Sequence, residues 1–268
     1  MSNLRTRVAQ FIRTRKALVT LGVCVLAAAP VVWAQGRGFD GGGRQPTYFA
    51  PNMPYDGRYT FVRIKYPWGN QGGFRQDIKW SHDYPRGERH FTKIVQELTT
   101  VQTRTENSNI IGLDDPDLGR YPIAYLCEPG YWRPTDAEVL GLRNYLMKGG
   151  FIIFDDFAGD RDWANLEEGM KRVYPNLTWL PLDPKDIVFN AFYHVNSLEY
   201  YHPLQRVKSE FLGLFEDNDR KKRMLAVANY NNDISEYWEF SDEGFFAVDE
   251  SNEAYKIGVN YIIYALTR

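Results

Sequence analysis

Two hydrophobic rhythms alternate along the chain. Tyr59–Tyr66 is rich in β-branched and aromatic residues and stops at Pro67, which predicts a strand. Phe91, Ile94, Val95 and Leu98 fall at i, i+3, i+4 and i+7, the apolar face of a helix. Ile123–Cys127 is a short apolar run closed by Pro129-Gly130, a second strand. Thr135-Asp136-Ala137-Glu138 has the spacing of a capping box and opens a helix whose Val139, Leu142 and Leu146 share a face. Gly149-Gly150 ends that helix, and Phe151–Phe154 follows as a buried strand. Asp162 is placed to cap a helix carrying Leu166, Met170 and Val173 before Pro175. Further strands are expected at Thr178–Leu182, Ile187–Val195, Met224–Tyr230 and Phe245–Val248, with a last helix from about Asn252 to Ala265.

Continuous apolar strands interleaved with helices predict an α/β fold, a mostly parallel sheet with helices on both faces. In such sheets ligands bind beyond the carboxyl ends of the strands. Two of those ends carry reactive groups, Cys127-Glu128 and Asp155-Asp156.

The N-terminus obeys a different pattern. Residues 1–16 are polar and basic, whereas residues 17–34 contain no charge and end in Val32-Trp33-Ala34 before Gln35. That order predicts a signal peptide over 1–34 and a protein exported to the periplasm or beyond. The competing reading is an uncleaved inner-membrane anchor over 17–34, at the lower edge of a bilayer span, and it would be the chain's only contact with membrane. Residues 35–57 are rich in glycine and proline and read as a linker, which leaves 58–268 as a single α/β domain.

Charge then narrows the partners. The 268 residues carry a formal −2, but the first 34 hold five basic residues and no acid, leaving 27 basic against 34 acidic in the rest, about −7. A body this acidic, with no Lys/Arg-rich run, excludes nucleic acid as a partner. Cys24 lies in the apolar leader, so Cys127 stands alone in the exported chain and no internal disulfide is expected.

Tyr121–Leu126, together with Leu142–Lys148, Gly149-Gly150, Phe151–Phe154 and Asp155-Asp156, resembles the bacterial domain of unknown function 4159. Phe61–Tyr66 and Gly258–Tyr264 are similar to that family's two ends. The resemblance implies the wider class I glutamine amidotransferase-like superfamily, which includes ThuA-like proteins, and hence a three-layer flavodoxin-like fold. Catalytic members of that superfamily hold a cysteine on a tight strand-to-helix turn, activated by histidine. Where the resemblance places that turn, after Phe154, this chain has Asp155-Asp156. Cys127 follows the preceding strand, so amidotransferase chemistry is not expected.

The candidate chemistry is therefore acidic. Asp155, Asp156, Asp160 and Asp162 fall within eight residues and could act as general acid and base, or serve only as caps and solvated charge. Cys127 beside Glu128 could be a nucleophile if a cation lowered its pKa, or merely a small buried side chain. His82, His90, His194 and His202 show no compact ligand spacing, so no metal or cofactor is expected. Trp132 and the many tyrosines near strand ends suit either a core or a sugar- or peptide-binding surface. The residues singled out are Asp155, Asp156 and Cys127 for catalysis, and Glu128, Asp160, Trp132 and His194 for ligand binding. The first reading is a non-catalytic, envelope-associated module binding a protein or small ligand. The second is a hydrolase-like enzyme, with carbohydrate as a candidate substrate. Convergence of these groups within hydrogen-bond reach would favour the enzyme, and dispersal the binding module.

Overall fold

The computed structural model describes residues 48–67 and 77–268; the expected signal segment and residues 35–47 lie outside them. Among the described residues, seven strands form one sheet: β1 Val62–Lys65, β2 Asn109–Gly112, β3 Ile123–Cys127, β4 Phe151–Asp155, β5 Leu180–Pro181, β6 Glu210–Phe215 and β7 Met224–Tyr230. Their order is β2-β1-β3-β4-β7-β6-β5. The run from β2 to β7 is parallel, and β6 and β5 add antiparallel strands at one edge. The helices are α1 Arg86–Leu98, α2 Asp136–Met147, α3 Asp160–Val173, α4 Ile234–Glu239 and α5 Val248–Thr267.

Side-chain alternation sorts the helices into layers. Ile123, Tyr125, Cys127, Phe151 and Ile153 pack with Phe91 and Val95 of α1, Trp238 of α4 and Ile257 and Tyr261 of α5. Ala124, Leu126, Ile152 and Phe154 pack on the other side with Leu142 and Leu146 of α2 and Leu166 and Met170 of α3. A sheet buried on both faces needs apolar residues at every position, which is why β3 and β4 read as unbroken apolar runs. The parallel register pairs Ile123 with Phe151 and continues to Cys127 with Asp155, so the two strands end side by side.

The α2 cap forms as its spacing predicts. Glu138 N–H donates to Thr135 Oγ1 at 3.2 Å, and Thr135 N–H donates to Glu138 Oε2 at 2.8 Å. Gly149, with φ +106°, then stops the helix in a conformation that costs other residues strain. Thr135→Ala is expected to cost about 1 kcal/mol, measured by urea denaturation.

Other elements differ from the sequence pattern. Gly159, not Asp162, caps α3; Asp160 and Asp162 occupy the first turn, where carboxylates favour the helix dipole. Asp162 packs instead against Gly130, where an added Cβ would lie 2.3 Å from the Asp162 Cγ. The strand expected at Thr178–Leu182 shrinks to the two residues of β5. Ile187–Val195 is a short 3₁₀ turn at Ile187–Phe189 followed by irregular chain. Its backbone groups go to a side chain rather than a ladder: Asn260 of α5 accepts from the N–H groups of Phe192 (2.9 Å) and Tyr193 (2.7 Å) and donates to the Tyr193 carbonyl (2.9 Å). Phe245–Val248 is a turn entering α5, with Phe245 tilted against Phe240 and Phe246 tilted against Tyr237. Strands β2 and β6 and helix α4 were not foreseen.

The fold also takes in part of the expected linker. Asn52 donates to the Ile110 carbonyl and accepts from the Ile110 N–H, both at 2.8 Å, so its amide pairs with the outer side of β2. Phe49 packs against Trp80 with ring centroids 5.0 Å apart. Among the described residues, no helix is long and apolar enough to cross a membrane.

Candidate functional site

The parallel strands deliver their chemistry to one rim. Immediately beyond β3, β4 and β7 the backbone turns left-handed at non-glycine residues: Glu128 (φ 49°), Asp156 (φ 59°) and Asn231 (φ 55°). Each such residue costs on the order of 1 kcal/mol, so neighbouring contacts must hold it. The Tyr66 hydroxyl, for instance, reaches the carbonyls of Glu128 (2.8 Å) and Cys127 (3.0 Å), and Glu128 N–H donates to the Asp155 carbonyl at 3.0 Å.

His82 reaches this rim from the segment ahead of α1. Its Nδ1 lies 2.7 Å from Glu128 Oε1 and 3.6 Å from Asp156 Oδ2, and its Nε2 lies 2.7 Å from Asp77 Oδ1. With carboxylates at both ring nitrogens, both carry protons and the ring is an imidazolium. Burial alone would lower its pKa, but the hydrogen bonds and charges of Asp156 and Glu128 prevail and push it up to about 12. Lys79 adds a second cation 3.3 Å from Glu128 Oε1 and lies over the Tyr131 ring.

The two rim carboxylates move apart. Burial and repulsion from Asp156 raise Glu128. Burial also acts to raise Asp156, but the hydrogen bond and charge of His82 bring it below its ordinary value. Both remain reachable, with side chains 12% and 15% exposed. Cys127 is fully buried and donates its thiol to Asp156 Oδ2 at 3.3 Å. Burial and the Asp156 charge hold that thiol well above its normal pKa, so it stays protonated. His202, also buried, accepts the N–H groups of Leu204 (3.2 Å) and Gln205 (3.3 Å) at Nδ1, which puts its proton on Nε2. Burial lowers its pKa and keeps it neutral, while the Asp156 charge acts on it.

Asp155 does different work from its neighbour. It is fully buried and accepts from Tyr125 Oη (2.9 Å), Asn229 Nδ2 (2.9 Å) and the N–H groups of Ile234 (3.1 Å) and Ser235 (3.2 Å). Its carboxylate thereby caps α4 and ties three elements together. Beneath it lie Asp83, Asp233 and Glu236, whose oxygens come within 4.8 Å of one another. Ser235 Oγ donates to Asp83 and lies 3.2 Å from Asp233 Oδ1. Burial followed by the Asp83 charge raises Glu236 to about 9, and burial with the neighbouring carboxylates raises Asp233 well above its ordinary range. Protons therefore hold this inner cluster together.

Two other triplets bring ligand-type atoms equally close, His82–Glu128–Asp156 and Asp83–Cys127–Asp156. A metal ion needs a lone pair on the ring nitrogen and a thiolate sulfur. Here the His82 nitrogens face carboxylates and the Cys127 thiol donates to Asp156, so a cation held at either triplet would have to displace a proton.

The inner acids predict a pH slope. Glu236 keeps its proton in the folded chain from its ordinary 4.5 up to about 9. The folded state then binds more protons than the unfolded one, so stability falls as pH rises through that window, by up to about 1.4 kcal/mol per pH unit per group. His82 acts in the same sense from 6.5 to about 12, because its stabilising charge is lost as pH climbs. Urea midpoints should decline from pH 5 to pH 8.5, and Glu236→Gln should flatten the decline.

Among the residues singled out from sequence, Cys127, Glu128, Asp155 and Asp156 come together. Asp160 is exposed at the edge, 3.4 Å from Tyr230 Oη. Trp132 is not at the rim: it is fully buried against Phe154 between the sheet and α3. His194 is exposed, in the irregular stretch held by Asn260, with no contact to the rim among the described residues. Sequence reasoning missed the roles of His82, Asp83, Asp233 and Glu236. The last two had a local signal, because Asp233-Ile234-Ser235-Glu236 is a helix-start pattern directly after an apolar strand.

A mostly parallel α/β sheet with a charged, left-handed rim at its strand ends defines the class of protein. The chain belongs to the family described as Domain of unknown function (DUF4159), whose model matches residues 60–266, from just before β1 into the last turn of α5. No curated protein matches it.

Proposed function

We propose that Glu128, Asp156 and His82 form the centre of a hydrolase that works with two carboxylates. One observation carries this reading: two acids at the ends of adjacent strands share one imidazolium, and their pKa values move in opposite directions. Environments that separate two carboxylates this way assign an acid and a base. Asp156, ionised, attacks the substrate or activates a water. Glu128, raised by burial and by Asp156, is the acid of the pair: the proton that His82 Nδ1 holds 2.7 Å away passes through it to the leaving oxygen. His82 positions both and keeps their repulsion from opening the site. Asp155 anchors the turn, and Cys127 donates a hydrogen bond without acting as nucleophile. An oxygen-linked, hydroxyl-rich substrate suits this set, with a carbohydrate the first class to test.

Hydrolysis of a panel of chromogenic glycosides and esters tests the reading. Asp156→Asn and Glu128→Gln are each expected to lower kcat about 100-fold or more with the fold intact. Turnover unchanged in Asp156→Asn would remove it.

The sealed, protonated Cys127 favours a second reading, an exported envelope module that binds a protein or small ligand at the same rim without turnover. A ligand that raises the melting temperature but is never consumed would favour that reading. The apolar stretch at 17–34 supports export under both readings, with cleavage before Gln35 or retention as an anchor. The amidotransferase-like, flavodoxin-like relationship is supported by the left-handed Asp156, a carboxylate on the kind of tight turn that would otherwise present sulfur.

A further inference from the structure

We propose that the opposite rim of the sheet binds a phosphate-bearing small molecule with an apolar or aromatic part. Strand β7 joins the two rims: its carboxyl end leads into the acidic site, and its seven residues place Met224 roughly 20 Å away. Met224 lines a hollow of about 540 Å³, a size that accommodates a drug-sized ligand. Six cations surround it: Lys185, Arg220, Lys221, Lys222, Arg223 and Arg268, with Asp186 the acid among the lining residues. In a body carrying about −7, this is a local reversal of sign.

Some of these charges are already committed. Arg220 pairs with Asp186 (2.8 Å), Lys222 with Asp217 (2.5 Å), and Arg223 with Glu216 (2.8 Å) while also holding the Gly150 and Leu146 carbonyls. Arg220 and Arg223 are thus fixed walls. The side chains of Lys185, Lys221 and Arg268 have no acidic partner among the described residues. Three uncommitted cations around one concavity call for more negative charge than a single carboxylate carries, which points to phosphate. The other lining is apolar, with Val188, Phe215 and Met224, and Tyr264 whose hydroxyl accepts the Met224 N–H at 2.9 Å. That floor calls for a ligand with more than a phosphate. A nucleotide-like metabolite and a phospholipid headgroup share this chemistry.

Titration of the whole protein with ATP, inorganic pyrophosphate, and phosphatidylglycerol against phosphatidylcholine vesicles tests the site. ATP is expected to bind about tenfold more tightly than pyrophosphate, and the Lys185→Glu/Lys221→Glu variant about tenfold more weakly than wild type. Binding should weaken between about 50 and about 500 mM salt. Saturable binding of phosphatidylglycerol vesicles but not ATP, lost in the same variant, would support the site and assign the phosphate to lipid. No saturable binding to ATP or to anionic vesicles, equal binding by the double variant, or pyrophosphate binding as tightly as ATP would overturn the proposal. Asp156→Asn should leave this binding unchanged, so it stands or falls apart from the hydrolase reading.

Discussion

Alanine at position 155 is expected to lower folding stability by about 4 kcal/mol and the melting temperature by roughly 8–16 °C. The Asp155 carboxylate is the acceptor for Tyr125, Asn229 and the first two N–H groups of α4, in a site with no solvent exposure. Removing it strands several buried donors at once, and each orphan costs about 1–3 kcal/mol. The adjacent Asp156→Asn supplies the contrast. Asp156 is partly exposed and keeps an acceptor oxygen as asparagine, so it strands no buried donor and loses only part of its hold on His82, a cost expected at about 1–2 kcal/mol. Urea denaturation of the two variants side by side checks the claim. Equal losses would mean that the assignment of one acid to structure and the other to chemistry is wrong.

The second large effect is expected at Arg63. Its Nε lies 2.6 Å from Glu88 Oε1, with side chains only 1% and 3% exposed. The guanidinium also donates to the Trp80 carbonyl at 3.0 Å and lies 5.1 Å from the Tyr125 ring centroid. Arg63→Met leaves the Glu88 carboxyl buried without its guanidinium, which should cost about 3–5 kcal/mol. Arg63→Met/Glu88→Leu should recover much of that loss, because apolar replacement of a whole buried pair is often nearly neutral. A double-mutant cycle by chemical denaturation measures the coupling. A double variant no more stable than Arg63→Met alone would contradict this account.

Sheet layers and strand ends were legible because they follow from local rules. The apolar runs at 123–127 and 151–154 are too short for helices and are flanked by Pro and Gly, which makes them strands buried on both faces, and Thr135 with Glu138 fixes the start of α2. Parallel pairing then sets Glu128 beside Asp156 without further information. Recruitment of His82 was not legible, because no periodicity links it to strands more than 40 residues on; only folding brings it 2.7 Å from Glu128. Trp132 misled for the opposite reason. An aromatic just past a strand end looks like a binding platform, yet here it fills the space between β4 and α3. The expected strand at 187–195 failed because Asn260, 65 or more residues away, takes up its backbone groups.

The pairing of Asn52 with Ile110 has a bearing on solubility. An unshielded outer strand offers a row of free amides and carbonyls to any passing chain, and proteins guard such margins against fibrillar growth. Here a single side-chain amide occupies both groups of Ile110, while at the far margin β5 is only two residues long and contains Pro181, which has no N–H to give. Trimming the chain to begin at residue 58 would remove the first of these guards, and the shortened protein should self-associate where the longer one stays dispersed.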